Sequence, residues 1–311
     1  MAIPTGSRLR VVGELPAGYA ARIRTAWPES TPCGPGEPAD AVLAWDYGTG
    51  AAEVSGAGRP RWVHLRAAGV TPGLLELARQ GTVVTTGSGG HGVAVAEHVL
   101  ALVLAHYRRI AELISARAAG RWPDPFPVAE LHGRTAVVLG TGDVGRCTAR
   151  LLSAFGVTVA GVSRGAAAVP GFDRVHPVGE LPKVLPEADL LIVAVPLTPA
   201  TRGLIGAAEL AALPPHALLV NVARGAVVDE PAMISALRDG RLAGAGLDVV
   251  TEEPLPAGSP LWSLPTVLLS PHCADTTAAT DRRCLEVFLA NVRLVRAGRP
   301  PARMVRPDLG Y

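Results

Sequence analysis

The stretch Thr135-Ala-Val-Val-Leu-Gly-Thr-Gly-Asp-Val-Gly145 gives the strongest indication of the fold of this chain. Its first five residues are apolar and β-prone, and they run into a Gly-x-Gly-x-x-Gly pattern. The following segment, Arg146–Phe155, carries its apolar residues at helical spacing. We therefore predict a strand, a tight turn and a helix.

Each glycine of this predicted turn has its own physical role. Gly140 allows the tight turn, Gly142 lets the backbone approach a pyrophosphate, and Gly145 lets the helix pack closely on the strand. The free N–H groups at the helix start would face the anion. Alone the pattern is weak evidence, because glycine clusters also occur in ordinary turns. Between a strand and a helix it predicts dinucleotide binding.

The composition bounds the class of protein. A chain of 311 residues suits about two domains, and 49% hydrophobic with 18% charged residues can build substantial cores. The net charge of +2 offers no basic surface for nucleic acid. No stretch of about 18 uncharged apolar residues occurs, so we expect no membrane span.

The N-terminal sequence and the cysteines bear on the cellular compartment. Residues 1–10 lack the apolar segment of a signal peptide. Cys33, Cys147, Cys273 and Cys284 are scattered without Cys-x-x-Cys spacing. We predict a cytoplasmic protein with reduced thiols and no metal site.

Before the glycine motif, short β-prone runs alternate with helical patterns, which predicts a small parallel α/β domain. The predicted strands are Leu9–Val12, Ala41–Ala44, Arg61–Leu65 and Thr82–Thr85, and the predicted helices are Tyr19–Trp27 and Pro72–Gln80. One long run of helix formers follows at Val93–Ala119 and ends at Gly120.

After the motif, further strands alternate with helices and predict a doubly wound sheet. These strands are Val157–Val162, Leu190–Val195, Ala217–Val222, Ala243–Leu247 and Val267–Leu269, and a last helix is predicted over Thr277–Ala297. Ligands of such sheets bind at the carboxyl ends of the strands. Polar or special residues stand at those ends: Gly140, Pro196–Thr198, Asn221–Gly225, Asp248 and Ser270–His272.

Five of these blocks resemble, in order, the signature blocks of the D-isomer-specific 2-hydroxyacid dehydrogenases. The blocks are Gly140–Gly145, Pro196–Ile205, Asn221–Gly225, Gly246–Pro256 and Ser270–His272, and the resemblance runs roughly from residue 61 to residue 277. It implies two Rossmann-like or flavodoxin-like domains. A nucleotide domain at residues 99–275 would be inserted into a smaller substrate domain made of residues 1–98 and 276–311.

The resemblance implies a catalytic set of Arg224, Glu253 and His272. In the reduction of a 2-keto acid, an imidazolium can donate the proton that the carbonyl oxygen needs. Glu253 would orient that ring, and Arg224 would bind the substrate carboxylate in a fork geometry. Three alternatives stay open: Arg224 as a salt-bridge partner only, Glu252 in place of Glu253, and His272 as an ordinary loop histidine.

The resemblance also implies that backbone N–H groups of Ala68 and Gly69 meet the substrate carboxylate. A second family loop is matched by Thr86–His98, where extra glycines predict a mobile or unusually open pocket wall. Among the histidines outside the catalytic set, His91 is the best candidate to face substrate. Asp275 could reach the pocket or cap the following helix.

The end of the strand after the glycine motif bears on the cofactor. In NAD-specific proteins an acid about 20 residues beyond the glycines binds the ribose hydroxyls, and no acid stands in Val162–Gly165. Ser163 can donate to a 2′-phosphate and Arg164 can pair with its charge. We predict NADP as the preferred cofactor with NAD as a possibility, unless Arg164 only stacks on adenine.

The remaining predicted cofactor contacts lie in the turn and at the strand ends. Asp248 could hydrogen-bond the nicotinamide amide or tune the nearby histidine. The full set is Gly140, Thr141, Gly142, Asp143, Val144, Gly145, Ser163, Arg164, Pro196, Thr201, Val222, Ala223 and Asp248.

The implied activity is reduction of a small 2-keto acid, such as glyoxylate or hydroxypyruvate, to the D-2-hydroxy acid, and the reverse. The alternatives are a formate-type or phosphite-type dehydrogenase and a nucleotide-binding scaffold like the C-terminal-binding corepressors. Glu253 speaks against the formate type, which has glutamine there, and the loop at Ala68 lacks a lysine for a doubly charged anion. The resemblance further implies a homodimer, with Val93–Ala119 as a candidate interface.

Overall fold

A computed structural model describes residues 6–56 and 58–311 of the chain. The chain forms two compact units. The split unit comprises the residues up to His91 together with Thr277–Tyr311, and the inserted unit comprises Gly92–Thr276. The first boundary precedes the predicted one at residues 98 and 99, because a helix of the inserted unit already begins at Gly92. The prediction that no signal peptide is present concerned residues 1–10. Of these, residues 1–5 lie outside the described residues.

The split unit is built on a five-stranded parallel sheet in the order β2-β1-β3-β4-β5. Its strands are β1 (Arg8–Val12), β2 (Thr31–Pro32), β3 (Ala41–Ala44), β4 (Trp62–Leu65) and β5 (Val83–Thr86), and its helices are α1 (Tyr19–Ala26), α2 (Ala51–Ser55), α3 (Pro72–Arg79) and α10 (Ala278–Arg296). This strand order is the flavodoxin-like one. Neither β2 nor α2 was predicted, because both are too short to show a period.

Both faces of this sheet are covered, since successive strand residues point to opposite sides. On one face Trp62 stacks on Phe288 of α10 with ring centroids 5.5 Å apart. On the other face Val63 packs in a cluster with Val54 of α2 and Leu74 of α3. The wholly apolar and buried sequence of β3 follows from this double burial.

The inserted unit is built on a seven-stranded parallel sheet in the order β12-β11-β10-β9-β6-β7-β8. Its elements are α4 (Gly92–Tyr107), α5 (Ile110–Ala118), β6 (Thr135–Leu139), α6 (Asp143–Ala154), β7 (Thr158–Ser163), β8 (Arg174–Pro177), α7 (Leu181–Val184), β9 (Leu190–Val193), α8 (Ala207–Ala212), β10 (Leu218–Asn221), α9 (Glu230–Arg238), β11 (Gly244–Leu247) and β12 (Val267–Leu269). The predicted fold class of two parallel α/β sheets is confirmed. The edge strand β8 was missed, because its sequence is largely polar.

Alternate residues of the central strands enter two separate core clusters. Val137 and Leu191 pack on the face that also holds Leu210 of α8 and Met233 of α9. Val138 packs on the opposite face with Val99 of α4. Helices on both faces of a parallel sheet leave the carboxyl ends of its strands as the edge where polar residues gather.

The run Val93–Ala119 forms two helices, so the prediction of a single helix is wrong. Arg109 separates α4 from α5 with a left-handed backbone, φ 53°. Its guanidinium bonds Glu112 and lies over the ring of Phe126, with Cζ 4.4 Å from the ring centroid. The local bond to Glu112 and the contact with Phe126 hold a break that no glycine or proline marks. No helix within residues 6–56 and 58–311 is long and apolar enough to cross a membrane.

Candidate active site

The glycine turn joins β6 to α6 with very little space. Gly140 has φ 107°, and a Cβ added there would lie 2.5 Å from the carbonyl oxygen of Ala194. A Cβ on Gly145 would lie 1.9 Å from the carbonyl oxygen of Gly140. Only glycine allows this approach of helix to strand.

The start of α6 has the features of an anion site. Gly142 is its N-cap and has no side chain to accept the first N–H groups. A Cβ on Gly142 would meet no atom within 4 Å, so the space in front of the turn is open. Thr141 and Val144 flank this point, both half-buried. Backbone N–H groups facing open space at a helix start fit a pyrophosphate.

The side chain of Asp143 is engaged elsewhere. Its carboxylate accepts a hydrogen bond from the N–H of Gly92 at 2.8 Å, at the start of α4, where a negative charge is favoured by the helix dipole. This contact ties the glycine turn to α4. The part of Asp143 that serves the turn is therefore its backbone.

Ser163 ends β7, and Arg164 follows it with an exposed side chain. The Ser163 hydroxyl donates to the carbonyl oxygen of Gly165 at 2.6 Å. This bond orients the serine within its own turn. It leaves the Ser163 oxygen as an acceptor, so a 2′-phosphate would have to displace Gly165 to receive the proton.

The loop after β9 is closed by a threonine hydroxyl. Thr201 donates to the carbonyl oxygen of Pro196 at 2.6 Å and accepts from the N–H of Thr198 at 2.8 Å. Both predicted cofactor contacts of this loop, Pro196 and Thr201, thus shape the loop itself. Pro196 is exposed at the end of the strand.

Buried Asn221 fixes the backbone after β10. Its side-chain oxygen accepts from the N–H of Ala223 at 3.0 Å, and its NH₂ group donates to the carbonyl oxygen of Arg224 at 3.1 Å. Val222 and Ala223 are thereby held in a tight turn. Arg224 is exposed, and its guanidinium donates to the carbonyl oxygen of Ala223 at 2.6 Å.

The segment that carries Glu253 lies against this turn. A Cβ on Gly225 would lie 2.0 Å from the carbonyl carbon of Val250, so only glycine permits the contact. Glu253 accepts from the N–H of Val250 at 3.2 Å with one carboxylate oxygen. Its other oxygen is thereby directed away from its own segment.

That second oxygen of Glu253 lies 2.8 Å from Nδ1 of His272. Since a carboxylate can only accept, Nδ1 carries the hydrogen of this bond. Nε2 is then the ring nitrogen left for proton transfer. The structure pairs His272 with Glu253 and not with Glu252.

In the described parts of the chain, no group of three or more His, Cys, Asp or Glu is arranged to hold a metal ion.

Asp248 holds the loop that carries His272. It is 3% exposed, and its carboxylate accepts from the Ser270 hydroxyl at 2.7 Å and from the N–H groups of Cys273 and Ala274 at 3.0 and 3.1 Å. Its carbonyl oxygen accepts from the N–H of His272 at 2.8 Å. These bonds keep His272 in the left-handed region, φ 52°.

Of the two roles predicted for Asp248, the geometry favours support of the histidine loop over contact with a nicotinamide. Two partners of the Asp248 carboxylate, Ser270 and His98, were not predicted to contact it. Nε2 of His98 lies 2.8 Å from the Ser270 hydroxyl and 3.5 Å from the Asp248 carboxylate. His98 is 172 residues from Ser270 in the chain, so no local pattern could have revealed the pair.

In the split unit, Ala68 and Gly69 follow the carboxyl end of β4. The neighbouring glycine-rich loop is tightly packed, so the expectation of an unusually open wall is wrong. A Cβ on Gly87 would lie 2.0 Å from the carbonyl oxygen of Arg66, and one on Gly90 would lie 2.7 Å from the sulfur of Cys284. The glycines are needed for close approach rather than for mobility.

His91 is buried, and its Nε2 donates to the carbonyl oxygen of Arg66 at 3.0 Å. The expectation that its ring faces substrate is therefore wrong, because the ring braces the end of β4. The other uncertain residue, Asp275, does not cap the last helix. Thr277 caps α10, accepting from the N–H of Thr280 at 3.0 Å.

The sequence model of the D-isomer specific 2-hydroxyacid dehydrogenase NAD binding domain matches residues 100–274. A glyoxylate reductase of Thermococcus gammatolerans is 34% identical over 242 residues, which is 75% of this chain and 72% of that protein. A glyoxylate/hydroxypyruvate reductase B of Pectobacterium carotovorum is 38% identical and covers 69% of each chain.

One solved structure is similar over nearly its whole length. It is a D-isomer specific 2-hydroxyacid dehydrogenase of Xanthobacter autotrophicus in complex with NADPH and MES. It is 34% identical in sequence, with a TM-score of 0.83, and the match covers 98% of this chain and 99% of that one.

The glycine turn provides a matched pair of substitutions. Gly145→Ala should destabilise the inserted unit by about 2 kcal/mol or more, because its Cβ would overlap the Gly140 carbonyl. Gly142→Ala should cost about 1 kcal/mol or less, yet weaken nucleotide binding at least tenfold by filling the open space before the turn. Urea unfolding and NADPH fluorescence titration would measure the two effects. Equal loss of stability in both variants would contradict the geometry.

Proposed function

The chain belongs to the D-isomer specific 2-hydroxyacid dehydrogenases, and from that premise we propose that it is an NADP-linked reductase of a small 2-keto acid. The product is the D-2-hydroxy acid, and the reaction is reversible. The observation that carries the proposal is the 2.8 Å bond between His272 and Glu253 at the edge of the sheet that also presents Arg224. Relatives named glyoxylate reductase and glyoxylate/hydroxypyruvate reductase support a glyoxylate-like or hydroxypyruvate-like substrate.

The catalytic roles follow from the side chains. A bound nicotinamide nucleotide supplies the hydride for the carbonyl carbon of the substrate. His272 donates the proton from Nε2 to the carbonyl oxygen, while Glu253 keeps Nδ1 protonated and the ring oriented. Arg224 binds the substrate carboxylate and polarises the carbonyl through its guanidinium donors. In the oxidative direction His272 takes the proton back.

The supporting groups fix this geometry before substrate arrives. Asp248 holds the His272 loop, and Asn221 holds the Arg224 turn. In the split unit, the backbone N–H groups of Ala68 and Gly69 are the proposed further donors to the carboxylate. Accordingly, we assign nucleotide binding and the catalytic set to the inserted unit, and the further contacts to the substrate carboxylate to the split unit.

The cofactor is assigned to the glycine turn and the strand ends that follow it. Backbone N–H groups at Gly142 and Asp143 suit the pyrophosphate. Arg164 is the better candidate for the 2′-phosphate, because the Ser163 hydroxyl already donates to Gly165. The NADPH complex of the similar Xanthobacter enzyme supports this preference. NAD is the alternative cofactor proposed for the same site.

We assign the homodimer contact to the exposed apolar surface around α5. Trp122 is 96% exposed and Ile114 is 55% exposed. Trp122 lines a groove of about 820 Å³ together with Leu113 and Phe126, and Ile114 follows Leu113 in α5. A second copy is the proposed occupant, because apolar patches of this kind mark association surfaces and a twofold dimer can bury the same patch on both copies.

The four free thiols fit the reducing cytoplasm, which is the compartment proposed for this protein.

The proton donor is tested by His272→Asn and Glu253→Gln. We expect His272→Asn to lower kcat for keto acid reduction about 10²-fold to 10⁴-fold, because the donor is gone, with NADPH affinity nearly intact. Glu253→Gln should cost less, because an amide can still contact the ring. Stopped-flow turnover and NADPH titration measure both. His216→Asn, an exposed histidine of the same unit, is the control, and wild-type-like turnover of His272→Asn would exclude this residue.

Cofactor choice is tested by Arg164→Ala. The ratio of kcat/KM for NADPH to that for NADH should fall about tenfold, because a charge-assisted bond to phosphate is lost. Arg238→Ala, which removes an exposed arginine of α9, should leave the ratio unchanged. A wild-type enzyme with higher kcat/KM for NADH would refute the discrimination argument.

The association surface is tested by Trp122→Ser and Ile114→Glu. Both should shift the protein from dimer to monomer in sedimentation velocity, because each removes or charges the exposed apolar patch. Trp262→Ser is the matched control, since Trp262 is also an exposed tryptophan of the inserted unit. A monomeric wild type, or dimers that persist in both variants, would overturn the assignment.

A further inference from the structure

Helix α4 lies along β11 with one of its faces matched to the strand. Four residues on a helix face advance about 6 Å, and two residues on a strand face advance about 6.6 Å, so the two faces stay in step over several residues. The facing pairs, taken backwards from the residue that directly follows β11, are Asp248 with His98, Gly246 with Leu102 and Gly244 with His106.

The two glycines of β11 make this close approach possible. A Cβ on Gly244 would lie 2.4 Å from Cε1 of His106, and one on Gly246 would lie 3.1 Å from Cβ of Leu102. Glycine inside a strand is typical of places where another segment packs closely on the sheet. The helix is thereby held near enough for its next side chain, that of His98, to reach the carboxyl end of the strand.

The order of the hydrogen bonds at that end follows from the chemistry of the groups. The Asp248 carboxylate can only accept, so the Ser270 hydroxyl donates to it at 2.7 Å. The Ser270 oxygen then accepts from Nε2 of His98 at 2.8 Å. Nε2 of His98 therefore carries a hydrogen, and a chain of donors runs from α4 to the buried carboxylate. This carboxylate also holds the two N–H groups that follow His272.

The start of α4 is fixed on the glycine turn. The N–H of Gly92, the first residue of α4, donates to the Asp143 carboxylate at 2.8 Å. Gly92 and His98 are six residues apart on one helix, which is about 9 Å along its axis. One helix thus bonds both the turn proposed for the pyrophosphate and the loop of the proposed proton donor.

We propose that His98 is a positioning residue, which through α4 aligns the loop of His272 with the nucleotide turn. The proposed reduction brings a hydride and a proton to neighbouring atoms of one carbonyl group. Both donors must therefore be held in register, and a misplacement of about 1 Å is costly to the rate. This role rests on the proposed function and adds to it a residue that acts through Ser270 and Asp248.

The role is tested by His98→Asn and His98→Gln in the full chain, with glyoxylate and hydroxypyruvate as substrates. The NH₂ group of glutamine extends about as far from the backbone as Nε2 of histidine, whereas that of asparagine extends only as far as Nδ1. We expect kcat to fall about tenfold in His98→Asn, because Ser270 loses its donor, while the Kd for NADPH stays that of the wild type. His98→Gln should keep most of the wild-type kcat.

Two further measurements separate positioning from a general loss of packing. The solvent deuterium isotope effect on kcat should rise in His98→Asn, because a misplaced donor slows proton transfer relative to the other steps. His106→Asn is the matched control, since this histidine of the same helix face contacts Gly244, about 13 Å along the strand from Asp248. It should lower Tm and leave kcat and the isotope effect unchanged.

A wild-type kcat in His98→Asn, equal losses in His98→Asn and His98→Gln, or an unchanged isotope effect overturns the inference, as does an equal loss of kcat in His106→Asn. If His98→Asn does not fold, Ser270→Ala breaks the same chain from its other side, and the same fall in kcat with intact NADPH affinity is required of it. A wild type that binds NADPH in a fluorescence titration but reduces neither acid refutes the proposed function itself. Full turnover in His98→Asn refutes only the role of His98.

Discussion

The candidate site depends on the buried carboxylate of Asp248. It gathers the Ser270 hydroxyl and two successive backbone N–H groups into one short loop. Each of these bonds is charge-assisted and shielded from water, which makes it stronger than its exposed counterpart. The left-handed conformation of His272 costs free energy, and these bonds offset that cost. The reactive ring can therefore be exposed while its support is buried.

The same arrangement is repeated along the edge of the seven-stranded sheet. Asn221 after β10 and Thr201 after β9 also bond the backbone of their own loops. In each case a polar side chain that accepts or donates locally sets the path of the chain leaving the strand. The groups proposed for chemistry, Arg224 and His272, stand on loops that are held mainly by the side chains of Asn221 and Asp248. Substitution of such a group should therefore spare the fold.

Local patterns predicted much of this architecture. The glycine turn follows from sequence because its three glycines, strand and helix lie within about twenty neighbouring residues. The break at Arg109, the edge strand β8 and the packing of Gly87 could not be predicted, because distant parts of the chain impose them. The resemblance predicted Glu253 as the partner of His272, and the 2.8 Å contact agrees with it; local chemistry alone had left Glu252 as an alternative.

The aspartates show why a residue's chemistry alone does not reveal its role. Asp143 and Asp248 both stood among the predicted cofactor contacts, yet each carboxylate accepts backbone N–H groups of a neighbouring segment. A carboxylate pointed at a pyrophosphate would repel it, whereas one turned onto a helix start stabilises that helix. We therefore propose that nucleotide binding at this turn uses backbone N–H groups. We further propose that Arg164, the exposed charged side chain directly after β7, discriminates between the cofactors.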